Sequence, residues 1–144
     1  MKKIIILKGP PAAGKSVRAK EIYASDPLKY VIVSRDNIRD ARGNYWVPEQ
    51  ENYISDLEEF SVVCAIKHNL IPIIDATNLN PKTIDKWENL AKELGADIEW
   101  IELYVPFKVA LERDKNREHS VTEPILKRFY INYYPDKYMK EMEV

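Results

Sequence analysis

The stretch from Ile4 to Ser16 joins an apolar, strand-like run directly to residues that could bind phosphate. Gly9 to Ser16 reads as a glycine, four residues and then Gly-Lys-Ser, which is the spacing of the Walker A loop. Glycines allow backbone conformations in which successive N–H groups turn inward and cradle phosphate oxygens at the start of a helix. The predicted nucleotide contacts are Gly9, Ala12, Ala13, Gly14, Lys15 and Ser16. The alternative is a glycine-rich turn that binds no ligand.

Three side chains predict how ATP and its metal would be held. The Walker A pattern directs Lys15 to the β- and γ-phosphates of ATP and the Ser16 hydroxyl to Mg²⁺. Asp75 ends an apolar strand, as a Walker B acid does, and could hold the same Mg²⁺ through water. The alternative for Asp75 is a turn in which it and Asn78 bond to backbone groups.

Asp36 and Arg39 follow the second predicted strand, at the end where open parallel sheets place their ligands. A carboxylate there could orient an acceptor hydroxyl and take its proton, whereas the alternative makes Asp36 the N-cap of a helix over residues 37–41. Arg39 projects from the same face and could bind an anionic acceptor group. Its alternative is a surface ion pair with Asp36 or Asp40.

Arg113 and Arg117 stand four apart in a predicted helix and would share one face. Arginines that close over a phosphoryl group spread its developing negative charge, so residues 113–122 are predicted to form a lid in which Arg117 is catalytic. The alternative is a solvated helix face on which both arginines alternate with acidic residues. His119 could touch a nucleotide. Trp46 could stack on a base, although aromatics at such spacings more often pack against the protein.

The elements that must position these residues alternate between strand and helix. This order predicts an α/β domain over residues 1–144, with four parallel strands and helices on both faces. The predicted strands are 4–7, 30–33, 71–74 and 98–105. Asp36 would lie near the phosphates if the second strand neighbours the first, and we expect that arrangement. A helix that ends near Asn69 is predicted to bury an apolar stripe, which consists of Tyr53, Leu57, Phe60, Cys64 and Leu70 with Val63 and Ile66.

Composition limits the classes of protein and partner. The chain has 144 residues, of which 45% are hydrophobic and 31% charged, as in one ordinary globular domain. A net charge of −1 indicates that any polynucleotide is held over a short footprint by a local basic patch. Cys64 is the single cysteine, which suits a reducing compartment. With no apolar run of membrane-spanning length, we expect a cytoplasmic protein without a membrane partner, in the host cytoplasm if it is phage-encoded.

Taken in order, these motifs resemble the kinase domain of the bacteriophage-type polynucleotide 5′-hydroxyl kinases. The resemblance covers nearly the whole chain. It rests on residues 9–16, 35–39, 77–81 and 105–117, followed by Val121 and residues 126–130. It implies the P-loop kinase fold, with four parallel strands flanked by helices and a helical lid. It also implies transfer of the ATP γ-phosphate, with Mg²⁺, to a 5′-OH end of DNA or RNA.

The resemblance implies roles by position. Asp36 would be the general base, Arg39 the ligand of the acceptor's 3′-phosphate, and Arg117 the lid arginine on the transferred phosphate. Further contacts are implied for Arg113 at the adenine site, Val17 beside the phosphates, and Thr77 and Val121 at the acceptor.

The chain departs from the family pattern in two places. Val17 stands where a hydroxyl residue is usual. Ala76 stands where the phage representative has an acid before its Thr-Asn pair, so Asp75 would point to the other face of its strand and serve the metal shell. Two alternatives to a polynucleotide kinase stay open: a kinase of the same fold that phosphorylates a nucleoside or another small metabolite, and a nucleotide-binding switch without acceptor chemistry.

Overall fold

The computed structural model describes residues 2–143 and builds them into a parallel sheet of four strands covered by helices. The strands are β1 (Lys3–Lys8), β2 (Tyr30–Ser34), β3 (Ile71–Asp75) and β4 (Asp97–Glu102). The helices are α1 (Lys15–Ser25), α2 (Arg35–Ala41), α3 (Glu51–Lys67), α4 (Pro81–Leu94), α5 (Phe107–Lys115), α6 (Glu123–Tyr133) and α7 (Pro135–Met142), with a 3₁₀ turn (Pro48–Gln50) before α3. The predicted parallel α/β architecture is confirmed. None of the helices in residues 2–143 is long and apolar enough to cross a membrane.

The strand order across the sheet is β2-β3-β1-β4, with all neighbours parallel. The expectation that β2 neighbours β1 is therefore wrong, because β3 lies between them. A parallel connection needs a crossover, and the crossover through α1 leaves room for a strand that arrives later in the chain. As a result Asp75, at the end of β3, is in register with Leu7 of β1 on one side and Ser34 of β2 on the other.

Helices pack on both faces of the sheet because successive residues of β1 point in opposite directions. Ile4 and Ile6 lie in a buried cluster with residues of α3 and α4. Ile5 and Leu7 lie in a second cluster with Ala19 of α1. A third cluster joins α5, α6 and α7, which were predicted only in part. Its buried members are Phe107, Ala110, Leu126, Tyr130 and Tyr138.

The buried face of α3 matches the predicted stripe only in part, since Ile66 is buried. Val62 is fully buried, whereas Tyr53 and Phe60 are 52% and 69% exposed. The buried face also contains Glu58, which is 1% exposed and accepts a hydrogen bond from Arg35 Nη1 at 2.9 Å. A charged residue at a core-facing position interrupts the apolar periodicity, and this is why the pattern favoured a stripe that is only partly buried.

The boundaries around the fourth strand also differ from the prediction. Strand β4 ends at Glu102, three residues before the predicted end. Helix α5 ends at Lys115, so Arg117 lies in the loop that follows and shares no helix face with Arg113. That loop spans residues 116–122.

Helix α7 contacts the N-terminus of α5. The Glu141 carboxylate accepts hydrogen bonds from the N–H groups of Phe107 (2.6 Å) and Lys108 (2.8 Å), the first two residues of α5. A carboxylate at a helix N-terminus satisfies free donors and complements the helix dipole. The segment after Pro135 therefore fixes the start of the helix that bears Arg113.

Candidate active site

The loop between β1 and α1 is folded around the Lys15 side chain. Lys15 is 8% exposed, and its Nζ donates to the carbonyls of Gly9 (3.0 Å) and Pro10 (2.6 Å). Burial lowers the pKa of Lys15 to about 8, although the carboxylates of Asp75 and Asp36 act in the opposite direction. A lysine held against neutral carbonyls can exchange them for phosphate oxygens, which are stronger acceptors.

The start of α1 forms a cradle that fits the phosphates of a nucleotide. The first bond of the helix runs from the Arg18 N–H to the Gly14 carbonyl at 3.1 Å, so the N–H groups of residues 15–17 have no partner within the helix. Ala12 and Gly14 have φ values of 64° and 95°, which turn the backbone around the space in front of these groups. A Cβ atom added at Gly14 would meet no atom within 4 Å, so the positive φ rather than a lack of room requires glycine at this position. Ala13, the remaining predicted contact of the loop, is buried.

Ser16 and Asp75 meet beside this cradle. Ser16 Oγ donates a hydrogen bond to Asp75 Oδ2 at 2.9 Å, so Asp75 contacts a side chain rather than the backbone of a turn. Burial raises the pKa of Asp75, and the Ser16 hydroxyl and the Lys15 ammonium reduce that effect. Within residues 2–143 no three His, Cys, Asp or Glu side chains could hold a metal ion together. Mg²⁺ usually takes one or two protein ligands and completes its shell with phosphate and water, so this pair fits it.

Asp36 lies in the first turn of α2, one position inside the helix start. The N-cap is Ser34, whose Oγ accepts a hydrogen bond from the Asn37 N–H at 3.3 Å. The alternative in which Asp36 caps this helix is therefore wrong. Its side chain, 42% exposed, is left to interact with the cleft.

The two oxygens of Asp36 have different partners. Oδ1 accepts hydrogen bonds from the Tyr45 hydroxyl (2.6 Å) and from Arg39 Nη1 (3.0 Å). Oδ2 lies 3.8 Å from Arg117 Nη2 and has the longer contact. Because Oδ1 already accepts two hydrogen bonds, Oδ2 is the oxygen that can take the proton of an acceptor hydroxyl. Sequence reasoning missed Tyr45, which no local pattern connects to Asp36.

Arg39 is held by the protein's own carboxylates. Nε and Nη2 donate to the two oxygens of Glu51 at 3.1 and 2.6 Å, and Nη1 donates to Asp36. Burial alone would lower the pKa of Arg39, but the hydrogen bonds to Glu51 and the negative charges of Glu51 and Asp36 together raise that pKa, and the hydrogen bonds from Arg39 lower the pKa of Glu51. The ion-pair alternative is thus present, with Glu51 as a partner that the sequence did not reveal. Among residues 2–143, one N–H on each Nη is left for a further ligand.

Arg117 reaches the cleft from the loop after α5. It lies 3.6 Å from Asp114 Oδ1 and 3.8 Å from Asp36 Oδ2, and its side chain is 31% exposed. Within the described chain its buried Nη1 atom has no hydrogen-bond partner. That nitrogen is the atom that faces Asp114, so the 3.6 Å contact is an ion pair without a hydrogen bond, and the guanidinium can turn to the stronger acceptors of an incoming phosphoryl group. Arg113 instead donates from Nη1 to the Ala12 carbonyl at 3.3 Å, so it contacts the loop itself.

Asp114 holds the loop that bears Arg117, a role for which the sequence gave no sign. It is 1% exposed and accepts hydrogen bonds from the Ser120 hydroxyl (2.7 Å) and from the N–H groups of Val121 and Thr122 (both 3.2 Å). The loop is therefore folded around a buried carboxylate, whereas the alternative of a solvated helix face would leave Asp114 in water; Asn116 and Glu118 of the loop are exposed.

The remaining predicted site residues lie around the edges of the cleft. The Thr77 carbonyl accepts a hydrogen bond from the Gly9 N–H at 3.0 Å, which joins β3 to the phosphate loop. Val17 is 62% exposed on the first turn of α1. Val121 is partly buried and packs against the cluster of α5, α6 and α7. The structure thus brings Lys15, Ser16, Asp75, Asp36 and Arg117 together, with Arg39 behind Asp36.

A family model described as an AAA domain matches residues 4–133 of the chain. The chain belongs to this family. The L-seryl-tRNA(Sec) kinase of Methanococcus maripaludis is 29% identical over 131 residues, which are 88% of this chain and 51% of that protein. The chain therefore spans about half the length of this curated relative.

Solved structures agree on the fold. A chain of the Pnkp1/Rnl/Hen1 RNA repair complex superposes with a TM-score of 0.79 and 25% identity, over 99% of this chain and 46% of that one. The Mycobacterium tuberculosis APS kinase CysC, in complex with AMPPNP and APS, superposes with a TM-score of 0.63 over 80% of this chain and 69% of its own. At 12% identity that second likeness concerns the fold alone. The chain thus has a P-loop kinase-like fold, and P-loop kinases as a class use ATP, typically with Mg²⁺.

Proposed function

We propose that this kinase domain transfers the γ-phosphoryl group of ATP to the 5′-OH end of a DNA or RNA strand. The proposal is supported above all by the placement of Asp36 Oδ2, which lies 3.8 Å from the guanidinium of Arg117. A carboxylate oxygen next to the arginine that would hold the transferred phosphate is where a general base for the acceptor hydroxyl is needed.

The residues of the cleft divide the reaction between them. The cradle of residues 12–17 and Lys15 bind the triphosphate, and Ser16 with Asp75 would hold Mg²⁺, which supplies charge neutralisation at the phosphates when bound. Asp36 Oδ2 takes the proton of the acceptor hydroxyl while the hydroxyl oxygen forms a bond to the γ-phosphorus. The bond from that phosphorus to the bridging oxygen breaks, and ADP leaves with the electron pair. Arg117 faces the negative charge that develops on the phosphoryl oxygens.

The acceptor assignment rests on the motif series and on the relatives. An RNA repair complex and a kinase of an aminoacylated tRNA both act in RNA chemistry. Arg39 has one N–H on each Nη for the phosphate that follows the terminal nucleoside. Thr77 and Val121 are the further acceptor contacts that we propose, with Arg113 and Val17 on the nucleotide side.

A second candidate, a kinase of a nucleoside or another small hydroxyl compound, is favoured by the pairing of Arg39. Its two hydrogen bonds to Glu51 and one to Asp36 consume much of the charge that a nucleic-acid phosphate would need. An acceptor without a phosphate would leave this arrangement intact.

Transfer of radiolabelled phosphate from [γ-³²P]ATP separates these candidates. The acceptors are 5′-OH oligonucleotides of DNA and RNA, the same strands with a 5′-phosphate, nucleosides, 3′-nucleotides and seryl-tRNA. We expect label on the 5′-OH strands and none on the 5′-phosphorylated ones. Label on nucleosides or on seryl-tRNA, with none on any strand end, would overturn the proposal.

Substitution of Asp36, the proposed general base, tests the mechanism in the same transfer assay. Asp36→Asn should lower the transfer rate by about 10²- to 10⁴-fold, because a positioned general base contributes about that much. Affinity for a non-hydrolysable ATP analogue should be retained. Asp56→Asn, the same change at an exposed position of α3, is the matched control and should leave the rate unaltered.

A further inference from the structure

The segment between α2 and the 3₁₀ turn, residues 42–47, is tied down and yet presents an indole to solvent. Arg42 holds it through hydrogen bonds from Nε to Gln50 Oε1 (3.0 Å) and from Nη1 to the Asn44 carbonyl (3.2 Å). Trp46 is nevertheless 56% exposed. Large aromatic surfaces are favourable to bury, so a fixed segment that keeps one in water is a ready contact surface.

Trp46 stands at the rim of the proposed acceptor site. The Arg39 guanidinium lies 5.6 Å from the centroid of the Trp46 ring and 5.6 Å from that of Tyr45. Tyr45 in turn donates its hydroxyl proton to Asp36 Oδ1 at 2.6 Å. The indole is therefore separated from the proposed general base by a single layer of side chains.

The neighbouring aromatic ring is already occupied. Tyr45 stacks on His119 with ring centroids 3.6 Å apart and an interplanar angle of 11°, and His119 Nε2 lies 2.9 Å from Asp40 Oδ1. The stacking of Tyr45 on His119 joins segment 42–47 to loop 116–122, which bears Arg117. Trp46 is consequently the aromatic side chain of this rim that has surface left for a ligand.

The charges around the rim favour a ligand held by stacking. Arg39 is paired with Glu51 and Asp36, so much of its charge is already balanced by the protein, and the net charge of the whole chain is −1. Nucleobases stack on aromatic side chains whatever their sequence, because every base has a π-face. We propose that Trp46 is the stacking platform for the terminal nucleobase of the 5′-OH strand. This inference rests on the proposed function and names how that site recognises its acceptor.

The test compares acceptors with and without the terminal base. A 5′-OH oligonucleotide and its counterpart with an abasic terminal nucleoside are phosphorylated by the unaltered chain and by Trp46→Ala and Trp46→Phe. For the unaltered chain, kcat/KM should be about 5- to 150-fold higher with the base present, the range expected for one stacked base. Trp46→Ala should abolish this preference, and Trp46→Phe should restore part of it.

Two controls separate stacking from a structural effect. Phe60→Ala removes an aromatic side chain that is 69% exposed on α3, outside the cleft, and should preserve the base preference. The affinity of Trp46→Ala for a non-hydrolysable ATP analogue should equal that of the unaltered chain. Tryptophan fluorescence gives a direct readout, because a 5′-phosphorylated oligonucleotide should quench the chain's emission and fail to quench that of Trp46→Phe. The other tryptophans, Trp87 and Trp100, remain in that variant.

The outcomes distinguish this inference from the function on which it rests. Equal kcat/KM for the base-bearing and abasic strands, or equal losses on both in Trp46→Ala, would overturn the platform and leave the kinase assignment intact. No transfer to any 5′-OH strand by the unaltered chain would overturn the proposed function and the platform together. Quenching that persists in Trp46→Phe would place the base elsewhere.

Discussion

Lys15 should make the binding of ATP fall with pH in a range where ordinary lysines stay charged. Burial lowers its pKa to about 8 in the free protein, and contact with phosphate requires the ammonium form. At pH 7 about nine-tenths of the side chains are charged, and at pH 9 about one-tenth are. The apparent Kd for a non-hydrolysable ATP analogue should therefore rise about tenfold between pH 7 and pH 9.

Isothermal titration calorimetry across this range, at constant Mg²⁺ and ionic strength, measures the effect. Lys15→Arg is the control, because a guanidinium stays charged throughout and any pH dependence left in that variant comes from the ligand or from other groups. Asp75, Asp36 and Arg117 face the amine. An apparent Kd that is constant to pH 9, or one that rises equally in Lys15→Arg, would refute the reasoning.

The same pKa predicts a change in stability without any ligand. A lysine whose pKa falls from 10.5 to about 8 on folding disfavours the folded state while it is charged. The unfolded chain binds more protons between those values, so the free energy of unfolding should rise by about 3 kcal/mol from pH 8 to pH 10.5. Urea unfolding at several pH values measures this rise in the free energy of unfolding. Lys15→Met should remove the part of the rise that comes from Lys15.

Three further predictions concern the acceptor side and the loop after α5. Tyr45→Phe removes the hydrogen bond to Asp36 and should lower single-turnover transfer about tenfold with ATP affinity unchanged, whereas an unaltered rate would deny that bond a role. Glu51→Gln removes the carboxylate that pairs with Arg39. The kcat/KM for acceptors that have a phosphate beside the reacting nucleoside should therefore rise about tenfold relative to the kcat/KM for acceptors that lack this phosphate. Equal changes for the two kinds of acceptor would exclude Arg39 as the ligand of that phosphate. Asp114→Ala leaves the hydrogen-bond donors of loop 116–122 without their buried acceptor. The free energy of unfolding, measured by urea titration, should fall by about 3 kcal/mol. The control Asp56→Ala, at an exposed position, should leave it unchanged.

The local features of the chain could be predicted because their causes are local. The phosphate loop and the first three strands follow from spacing, and the limits of α4 are set by two single residues. Asn80 accepts a hydrogen bond from the Lys82 N–H at 2.9 Å, and Gly95 has a φ of 66°, as an N-cap and a helix stop require. Ser16 and Asp75, far apart in the chain, were paired through the chemistry of a Mg²⁺ site rather than through any contact pattern.

The strand order and the full buried face of α3 could not be predicted because they depend on distant partners. Strand β2 reads as apolar and β-branched whether it lies at the edge of the sheet or next to β1. Glu58 interrupts the apolar stripe of α3, and its burial is tolerable because Arg35, 23 residues away, donates a hydrogen bond to it and Lys86 lies 3.8 Å from it. The bond between His119 and Asp40 joins residues 79 positions apart. No spacing rule reaches across such separations.

The cations of the cleft differ in how firmly the protein holds them, and this difference explains which half of the site a motif can predict. Lys15 rests on neutral carbonyls, and Arg117 lies 3.6 and 3.8 Å from its carboxylates, so both gain by turning to phosphate oxygens. Arg39 already has a bidentate carboxylate with a contact of 2.6 Å, so an exchange for phosphate returns little net free energy. The proposed nucleotide half is thus ready for its ligand, and the Walker A spacing identifies its Lys15, whereas Arg117 lies in a loop outside that motif. In the function that we propose, acceptor choice falls to Asp36 and to the aromatic rim around Trp46, whose arrangement is set by contacts between distant segments.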